Sequence, residues 1–349
     1  MGIALVAVAI PSCSGGRAAA PGPARAFSAC MVTDTAGIDD HSSNASAYQG
    51  LLNAALVDPG IAPQYLVSPQ VADYVPNIKA MVGRRCGIIV TVGSTMGDAT
   101  QEGSASSRQQ HFAIVDYTYS PPLPNVQAVT FDTAQAAFLG GYLAAGMSKA
   151  AVVATFGGQR LPAVTVSMDG FWEGVQYYNA KHGTDVRVLG WDEKSQEGSF
   201  TGDFINESKG QSVTETLIQR GADVIFPVAG GAGLGAAAEA QRVGKGVHLL
   251  WEDTDGCVSA PQYCSLFVSS VEKDIPTAVQ RVVTAAAHGS FRGGGYVGTL
   301  ANGGVGLAPY HDFAAQVPQM LTAELDQVKQ GIISGSITIS SPAEPVADT

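Results

Sequence analysis

The chain has 349 residues, which at about 150 residues per domain predicts roughly two domains. Charged residues make up 14% and hydrophobic residues 46%, a composition typical of a folded protein. Lys and Arg number 19 against 30 Asp and Glu, so the formal net charge is −11. This balance argues against a nucleic-acid-binding protein, and the sequence has no polybasic patch for anionic lipid.

The N-terminus carries a short apolar run, residues 3–10 (IALVAVAI), followed by Pro11, Ser12 and Cys13. The run is shorter than the about 20 residues that cross a membrane, but it suits the hydrophobic part of a secretory signal. The segment Ile10-Pro11-Ser12-Cys13 resembles a bacterial lipobox, in which the cysteine is lipidated. We therefore predict a lipoprotein-type signal over 1–13, lipidation at Cys13 and a flexible tether over 14–26. The alternative is an apolar start without signal function.

Four further cysteines remain, an even number that indicates disulfides in an exported protein. Cys30 and Cys86 each precede an apolar run, and neighbouring parallel strands there would bring them within bridging distance. Cys257 and Cys264 flank a short loop and form a second candidate bridge. Four buried thiols are the alternative. The sequence argues against a zinc site, because it has no CxxC motif and no histidine cluster near these positions. We expect no metal and no cofactor.

From Phe27 onward, short runs rich in Val, Ile and Phe alternate with segments of helical spacing. The predicted strands cover 28–33, 86–92, 111–116, 126–131, 151–156, 185–190, 222–228, 247–252, 266–271 and 296–300. The predicted helices include 45–56, 133–146, 170–180, 209–219 and 276–287. This alternation favours parallel sheets covered by helices on both faces. Ten or more strands exceed one comfortable open sheet, so we predict an α/β protein with two sheets side by side.

Polar residues follow many of these strands. In open parallel sheets, ligands bind beyond the carboxyl ends of the strands. Acids dominate at these ends and bases are almost absent, which does not suit phosphate but suits hydroxyl and ring N–H donors. The sequence therefore predicts a neutral polyol or heterocycle as the ligand. The residues at these ends are Asp34, Thr95, Asp116, Asp132, Gly230, Asp253 and Lys273.

Seven segments in a fixed order resemble the BMP/PnrA family of nucleoside-binding lipoproteins that serve ABC importers. The first, Asp34 to Asn44 (DTAGIDDHSSN), is similar to the family's DxGGIDDKSFN opening. The others are FDTAQAAFLGG from Phe131, GG with Pro162 and DGFWEGV from Gly157 to Val175, GSFTGD from Gly198, AGGAG from Ala229, DTDG from Asp253 and SVEK from Ser270. Together they span about residues 27 to 330.

The resemblance implies the type I periplasmic binding protein fold: two Rossmann-like lobes with parallel sheets, joined by three crossing strands, with a cleft between them. On this basis we place 27–131 plus about 254–290 in one lobe. The other lobe then holds 132–253 plus about 291–335, and 336–349 form a tail.

The family holds the base between aromatic rings and the ribose hydroxyls with an Asp and a Lys. The resemblance makes Phe200 a stacking ring, Asp253 an acceptor from ribose hydroxyls and Lys273 a donor to ribose oxygen. Asp34, Thr35, Asn44 and Asp116 are expected to face the base or the cleft floor. The complete set of expected ligand-binding residues is Asp34, Thr35, Asp40, Ser43, Asn44, Asp116, Phe200, Val228, Gly230, Asp253 and Lys273.

One departure from the family bears on the ligand, because Ser43 stands where the family has its second stacking phenylalanine. Either another ring, Tyr48 or Phe112, fills the space, or the ligand differs. Structural roles also remain open: Asp40 as a charge at a helix N-terminus, Asp253 as a strand-end cap, Lys273 as a surface lysine and Phe200 as a core residue.

We thus predict an extracytoplasmic, membrane-anchored lipoprotein that binds a nucleoside-like small molecule by hinge closure and delivers it to an ABC permease. We expect a monomer that binds no nucleic acid. A membrane-anchored sensor with the same fold is the alternative. A nucleoside-processing enzyme is less favoured, because the sequence has no nucleophile elbow, HExxH motif or phosphate loop.

Overall fold

A computed structural model describes residues 1–2, 26–244 and 246–345. The predicted signal and tether, including the lipidation residue Cys13, lie almost entirely outside these residues. Within the described ranges, no helix combines the length and the apolar character needed to cross a membrane.

The first lobe is built on a six-stranded parallel sheet. Its strands are β1 (Phe27–Val32), β2 (Ile61–Leu66), β3 (Ile88–Val92), β4 (His111–Val115), β5 (Val126–Phe131) and β13 (Gly294–Gly298). Their order across the sheet is β13-β5-β4-β3-β1-β2. Helices α1 (Ser43–Val57), α2 (Tyr74–Gly83), α3 (Gly97–Ser106) and α9 (Ile275–Ala287) pack against it. The central strands β3 and β4 are apolar except for Thr91 and His111, since helices bury both of their faces.

The second lobe also has a six-stranded sheet. Its strands are β6 (Val152–Gly157), β7 (Arg187–Leu189), β10 (Val224–Val228), β11 (His248–Asp253), β12 (Phe267–Lys273) and β14 (Val305–Leu307). Their order across the sheet is β14-β12-β11-β10-β6-β7, and all are parallel except β14. Its helices are α4 (Thr133–Met147), α5 (Pro162–His182), α6 (Glu207–Gln219), α7 (Gly233–Val243), α8 (Gly256–Ser259) and α10 (Gln319–Ile333). A small hairpin, β8 (Trp191–Asp192) with β9 (Glu197–Gly198), lies beside this sheet.

Two of the family-like motifs hold helices α4 and α5 together. A Cβ atom at Gly141 of α4 would lie 2.0 Å from the carbonyl oxygen of Phe171 in α5. Gly174 of α5 faces the carbonyl of Phe138 in the same way, also at 2.0 Å. Only glycine allows the two backbones to approach so closely. These two glycines therefore pack the second lobe together and do not line the cleft.

The chain crosses between the lobes three times. It passes from β5 to α4 at Asp132, from β12 to α9 at Asp274, and from β13 to β14 through residues 299–304. The crossings are bonded to one another: the N–H of Asp132 donates to Gly298 (2.8 Å), and that of Asp274 donates to Gly304 (2.8 Å). Two α/β lobes joined in this way confirm the predicted type I periplasmic binding protein fold.

The later lobe boundaries differ from the predicted ones. Strand β12, predicted in the first lobe, belongs to the second because it pairs with β11 from Leu249 and Phe267 onward. Strand β13, predicted in the second lobe, belongs to the first because it pairs with β5. The boundaries predicted near 254 and 291 are therefore wrong, and the crossings follow Lys273 and Gly298. The C-terminal segment is also not a separate tail, since Ile337 and Ile339 pack against the main core.

Both predicted disulfides are present. Cys30 on β1 is bonded to Cys86, just before the neighbouring strand β3, with Cα atoms 6.0 Å apart. Cys257 and Cys264 close the short loop after β11, with Cα atoms 4.5 Å apart. The alternative of four buried thiols is therefore wrong.

Candidate functional site

The carboxyl ends of the strands in both sheets face a cleft between the lobes, where open parallel sheets bind ligands. The cleft encloses about 590 Å³ of empty space, counting the part open to solvent. Nine of the eleven predicted ligand-binding residues line it: Asp34, Asp40, Ser43, Asn44, Asp116, Val228, Gly230, Asp253 and Lys273.

Lys273, the last residue of β12, is the one cation among the residues that line the described cleft. Its side chain is 5% exposed, and its Nζ lies 2.8 Å from Asp116 Oδ2 and 2.9 Å from Asp253 Oδ1. Burial would lower the pKa of Lys273, but the two carboxylates outweigh it and raise the pKa above its usual value. Lys273 is therefore a buried, charged donor and not a surface lysine.

Asp253 ends β11 and receives bonds from both lobes. The hydroxyl of Ser43 donates to Asp253 Oδ2 at 2.9 Å, and that of Ser42 donates to the same oxygen. Burial would raise the pKa of Asp253, but Lys273 and the two hydroxyls hold it below its usual value. Asp253 is thus an ionised acceptor at the centre of the cleft.

Asp116 and Asp253 share an unusual backbone conformation. Asp116 directly follows β4 and has a φ angle of 61°, and Asp253 ends β11 and has a φ angle of 62°. This left-handed region is costly for residues other than glycine, and strain of this kind concentrates at functional sites. The surrounding fold thus holds both carboxylates in fixed positions on opposite lobes, with Lys273 between them.

Three residues of the first motif form a hydrogen-bonded group on the first lobe. The Asn44 side-chain N–H₂ donates to Asp34 Oδ1 and to Asp40 Oδ2, both at 2.9 Å. Asp40 also accepts the backbone N–H groups of Ser42, Asn44 and Ala45, so it satisfies the first turn of α1. The role of Asp40 as an acid at a helix N-terminus is therefore present, although the residue also lines the cleft.

Burial raises the pKa of four further carboxyl groups in the cleft, those of Asp34, Asp40, Asp116 and Glu252, above their usual values. Burial raises the pKa of Asp34 to about 6, although its bond from Asn44 opposes the shift. Burial, followed by the neighbouring Asp253, raises the pKa of Glu252 well above its usual value. Glu252 accepts the backbone N–H of Gly230, which lies across the cleft floor in the same lobe. Burial therefore weakens the acidity of these cleft carboxyl groups.

Two of the expected ligand-binding residues lie elsewhere. Thr35 does not line the cleft, and its backbone N–H donates to the hydroxyl of Tyr74. Phe200 packs edge-on against Trp191, with ring centroids 6.1 Å apart, and the guanidinium of Arg160 lies 5.7 Å from the centre of its ring. The placement of Phe200 in the cleft is therefore wrong in this structure, because a bridge to Gly157 holds it along the end of β6.

Phe204 is the aromatic ring that lines the described cleft, next to Gly158 and Gly230. Neither ring considered as a replacement for the family's second phenylalanine reaches it. Phe112 is fully buried in the first lobe, and Tyr48 packs edge-on against Tyr65, with ring centroids 4.9 Å apart. Ser43, in the position of that phenylalanine, instead bonds Asp253 from across the cleft.

Sequence reasoning left several cleft residues out of the predicted set. Ser42 and Ala36 lie within a motif that it did recognise, and Glu252 and Gly93 lie beside predicted strand ends. Leu161, Ala163 and Val164 come from the start of α5, where nothing in the sequence signals a cleft position. The additional residues are Ala36, Ser42, Gly93, Ser94, Leu161, Ala163, Val164, Phe204 and Glu252. Thr95, named above at a strand end, also lines the cleft.

A cleft between two α/β lobes, with buried polar groups from both, is typical of solute-binding proteins. Comparisons with known proteins agree. The model of the Bmp family, ABC transporter substrate-binding protein PnrA-like, matches residues 27–342. The chain belongs to this family. Members of this family are substrate-binding components of ABC transporters and not enzymes. This confirms the expectation that the protein is not a nucleoside-processing enzyme.

Two curated relatives and one solved structure illustrate the similarity. A CD4+ T-cell-stimulating antigen of Listeria monocytogenes is 30% identical, with 91% of this chain and 89% of that protein covered. The ABC transporter nucleoside-binding protein BmpA of Lactococcus lactis is 25% identical, with 90% and 89% covered. A solute-binding protein of an Aeropyrum pernix ABC transporter has the same fold, with a TM-score of 0.77, 24% identity, and 90% and 94% covered.

Proposed function

We propose that this protein is the extracytoplasmic solute-binding component of an ABC importer and that it binds a nucleoside in the cleft between its lobes. The observation that carries the proposal is the buried group of Asp116, Lys273 and Asp253, which presents an ammonium donor beside an ionised carboxylate acceptor. Such a pair can bind vicinal hydroxyls, since one group accepts and the other donates. The name of the Lactococcus relative, a nucleoside-binding protein, supports this ligand class.

The charges of the cleft favour a neutral ligand. Lys273 is compensated by Asp253 and Asp116, while burial moves Asp34 and Glu252 towards their protonated forms. An added phosphate would meet these carboxyl groups with no unpaired cation among the residues that line the described cleft. The site therefore selects nucleosides over nucleotides.

We assign the parts of the ligand from the donors and acceptors available. Asp253 accepts from ribose hydroxyls and Lys273 donates to a ribose oxygen. On the first lobe, Asn44 Oδ1 is buried and lacks a hydrogen-bond partner among the described residues, and Asp34 lies beside it. These two groups suit N–H donors on the edge of a base. The ring of Phe204 provides an apolar surface for the base on the second lobe.

Binding closes the two lobes about the three crossings. Contacts already span the cleft: Ser42 and Ser43 bond Asp253, and Lys273 bonds Asp116. A ligand that touches both lobes stabilises this closed arrangement relative to an open one and shifts the population towards it. The closed surface is what the permease recognises, and the protein acts as a monomer tethered through a lipid on Cys13.

A thermal-shift screen tests the ligand class. The panel comprises adenosine, inosine, guanosine, uridine, the free bases, ribose and adenosine 5′-monophosphate. We expect at least one nucleoside to stabilise the protein by about 2.7 kcal/mol at 100 times its Kd. The matching base, ribose and monophosphate should have much smaller effects. No stabilisation by any nucleoside, or greatest stabilisation by the monophosphate, would contradict the proposal.

The lipid anchor needs a separate test. Mass spectrometry of the mature protein from the membrane fraction should show an N-terminal Cys13 that carries acyl chains. In the Cys13→Ala variant, this species should disappear and the protein should leave the membrane fraction. A mature protein that begins elsewhere and still fractionates with membranes would contradict anchoring at Cys13.

A further inference from the structure

A second cavity opens from the polar cleft between the two lobes, and we call it the annexe. It encloses about 1340 Å³ of empty space, counting the part open to solvent. The annexe and the polar cleft share four wall residues, Ser94, Asp116, Leu161 and Ala163, so the two spaces are neighbours. A ligand seated on Asp253 and Lys273 can therefore extend past Ser94 and Asp116 into the annexe.

The walls of the annexe are mostly carbon. The first lobe contributes Tyr117, Tyr119 and Phe131, and α5 of the second lobe contributes Val166. Several prolines complete the lining: Pro122, Pro162, Pro342 and Pro345. A space of this kind takes an apolar group, because the gain comes from removing apolar surface from water. The carboxyl groups of Asp116 and Glu344 at its edge disfavour an anion.

The outer wall of the annexe is the C-terminal segment, residues 341–345. After α10 the chain turns back, and Ile337 and Ile339 pack against the core. The backbone N–H of Ser340 then donates to Glu173 of α5 at 2.9 Å, and the hydroxyl of Ser341 donates to Asp169 of α5. The segment is thus attached to the second lobe and reaches the inter-lobe space from there.

The attachment at Asp169 is a built feature of the second lobe. Asp169 is completely buried, and it also accepts bonds from Trp191 Nε1 and Gln196 Nε2, both at 2.8 Å. A buried carboxylate with three donors holds its partners in fixed positions, since losing a donor inside the protein is costly. Ser341 therefore fixes the start of the outer wall.

We propose that the annexe binds an apolar substituent on the base of the nucleoside, and that residues 341–345 close it from outside. This rests on the proposed function. The preferred ligands are then nucleosides with an aromatic or branched aliphatic group on the base, and the C-terminal segment determines that preference. Unsubstituted nucleosides use the polar cleft alone and do not need the segment.

Calorimetric titration with adenosine and N6-benzyladenosine tests this proposal. Three proteins are compared with the full chain: one ending at Ser340, one ending at Pro345 as the matched control, and Val166→Phe, which fills the annexe without touching the polar cleft. The full chain and the control should bind N6-benzyladenosine at least about tenfold more tightly than adenosine, because the phenyl group is buried. In the chain ending at Ser340 and in Val166→Phe, the preference for N6-benzyladenosine over adenosine should fall below about twofold. The affinity of these two proteins for adenosine should change by less than about twofold.

The titrations distinguish failure of the annexe proposal from failure of the proposed function. Equal affinities for the two ligands in the full chain, or a preference that survives in both the shortened chain and Val166→Phe, would overturn the annexe proposal while leaving nucleoside binding intact. If the full chain binds neither adenosine nor any other nucleoside, the proposed function fails and the annexe proposal fails with it.

Discussion

Lys273 of the second lobe and Asp116 of the first form a buried ion pair across the cleft, with 2.8 Å between Nζ and Oδ2. The side chains are 5% and 10% exposed, so water screens the pair little. Lys273 also contacts Asp253 of its own lobe. One lysine therefore joins the two lobes and organises the acceptor that we assign to the ribose.

Lys273→Met should damage both stability and binding. Removing the ammonium leaves the carboxyl groups of Asp116 and Asp253 buried together without a compensating charge, which costs about 3–5 kcal/mol in the free energy of unfolding. Urea denaturation measures this loss, and calorimetry should show no nucleoside binding. The double variant Lys273→Met/Asp116→Asn should regain part of the stability but not the binding. A loss below about 1 kcal/mol in the single variant would contradict the assigned role.

Phe204 and Phe200 form a matched pair of variants. Phe204→Ala should weaken nucleoside binding by about 1–3 kcal/mol, or roughly 5- to 150-fold in Kd, because the base loses an aromatic surface. Phe200→Ala should lower the free energy of unfolding by about 1–3 kcal/mol through lost packing against Trp191, and leave the Kd nearly unchanged. If Phe200→Ala instead weakened binding and Phe204→Ala lowered only the free energy of unfolding, Phe200 would be the stacking ring.

The raised pKa of Asp34, about 6, predicts a pH dependence of stability. Because this pKa is above its ordinary value, the folded state holds more protons than the unfolded state between about pH 4 and 6. The contribution of Asp34 to the free energy of unfolding is therefore most favourable below about pH 4. It should fall by about 2–3 kcal/mol by pH 7.

Urea denaturation from pH 4 to 7 checks this sign. Asp34→Asn should flatten the decline relative to the parent protein, while Asp312→Asn, at an exposed position, should leave it unchanged. Curves for Asp34→Asn and the parent that run parallel over this range would show that Asp34 titrates normally.

The two disulfides should contribute unequally. The Cys30–Cys86 bridge joins residues 56 apart in sequence and the Cys257–Cys264 bridge residues only 7 apart. A longer closed loop restricts the unfolded chain more, which predicts about 4 kcal/mol for the first bridge and about 2.5 kcal/mol for the second. Denaturation of the two double Cys→Ala variants measures the difference. A larger loss for the short loop would show that its bridge acts on the native state instead.

The sequence predicts the central strands of both sheets because helices bury both of their faces, which requires continuous apolar runs. It does not reveal β2 or β14. Strand β2 lies at a sheet edge and contains Pro63, and β14 has three residues including Gly306. The sequence does not show where the lobes divide, because strand pairing is a long-range property and nothing in β12 indicates that it pairs with β11.

Motif order was enough to predict most residues that line the cleft, but not which ring enters it. Phe200 and Phe204 lie in one short segment, and the path of the chain between them decides their directions. Backbone bonds of Ser199 and Thr201 with Gly157 hold Phe200 beside β6. Gly202, with a φ of 87°, then turns the chain so that Phe204 reaches the cleft. This turn is not visible in the pattern of residue types.

The most direct test of nucleoside binding is a calorimetric titration into the parent protein, Asp253→Asn and the control Asp312→Asn, using the nucleoside that stabilises the protein most in the thermal-shift screen. In Asp253→Asn, Lys273 keeps its bond to Asp116, so the variant should fold. We expect one nucleoside per chain, with the same Kd in the parent and the control. Binding to Asp253→Asn should be at least about tenfold weaker, since a hydrogen bond to a charged group is lost. An unchanged Kd in Asp253→Asn would contradict the account.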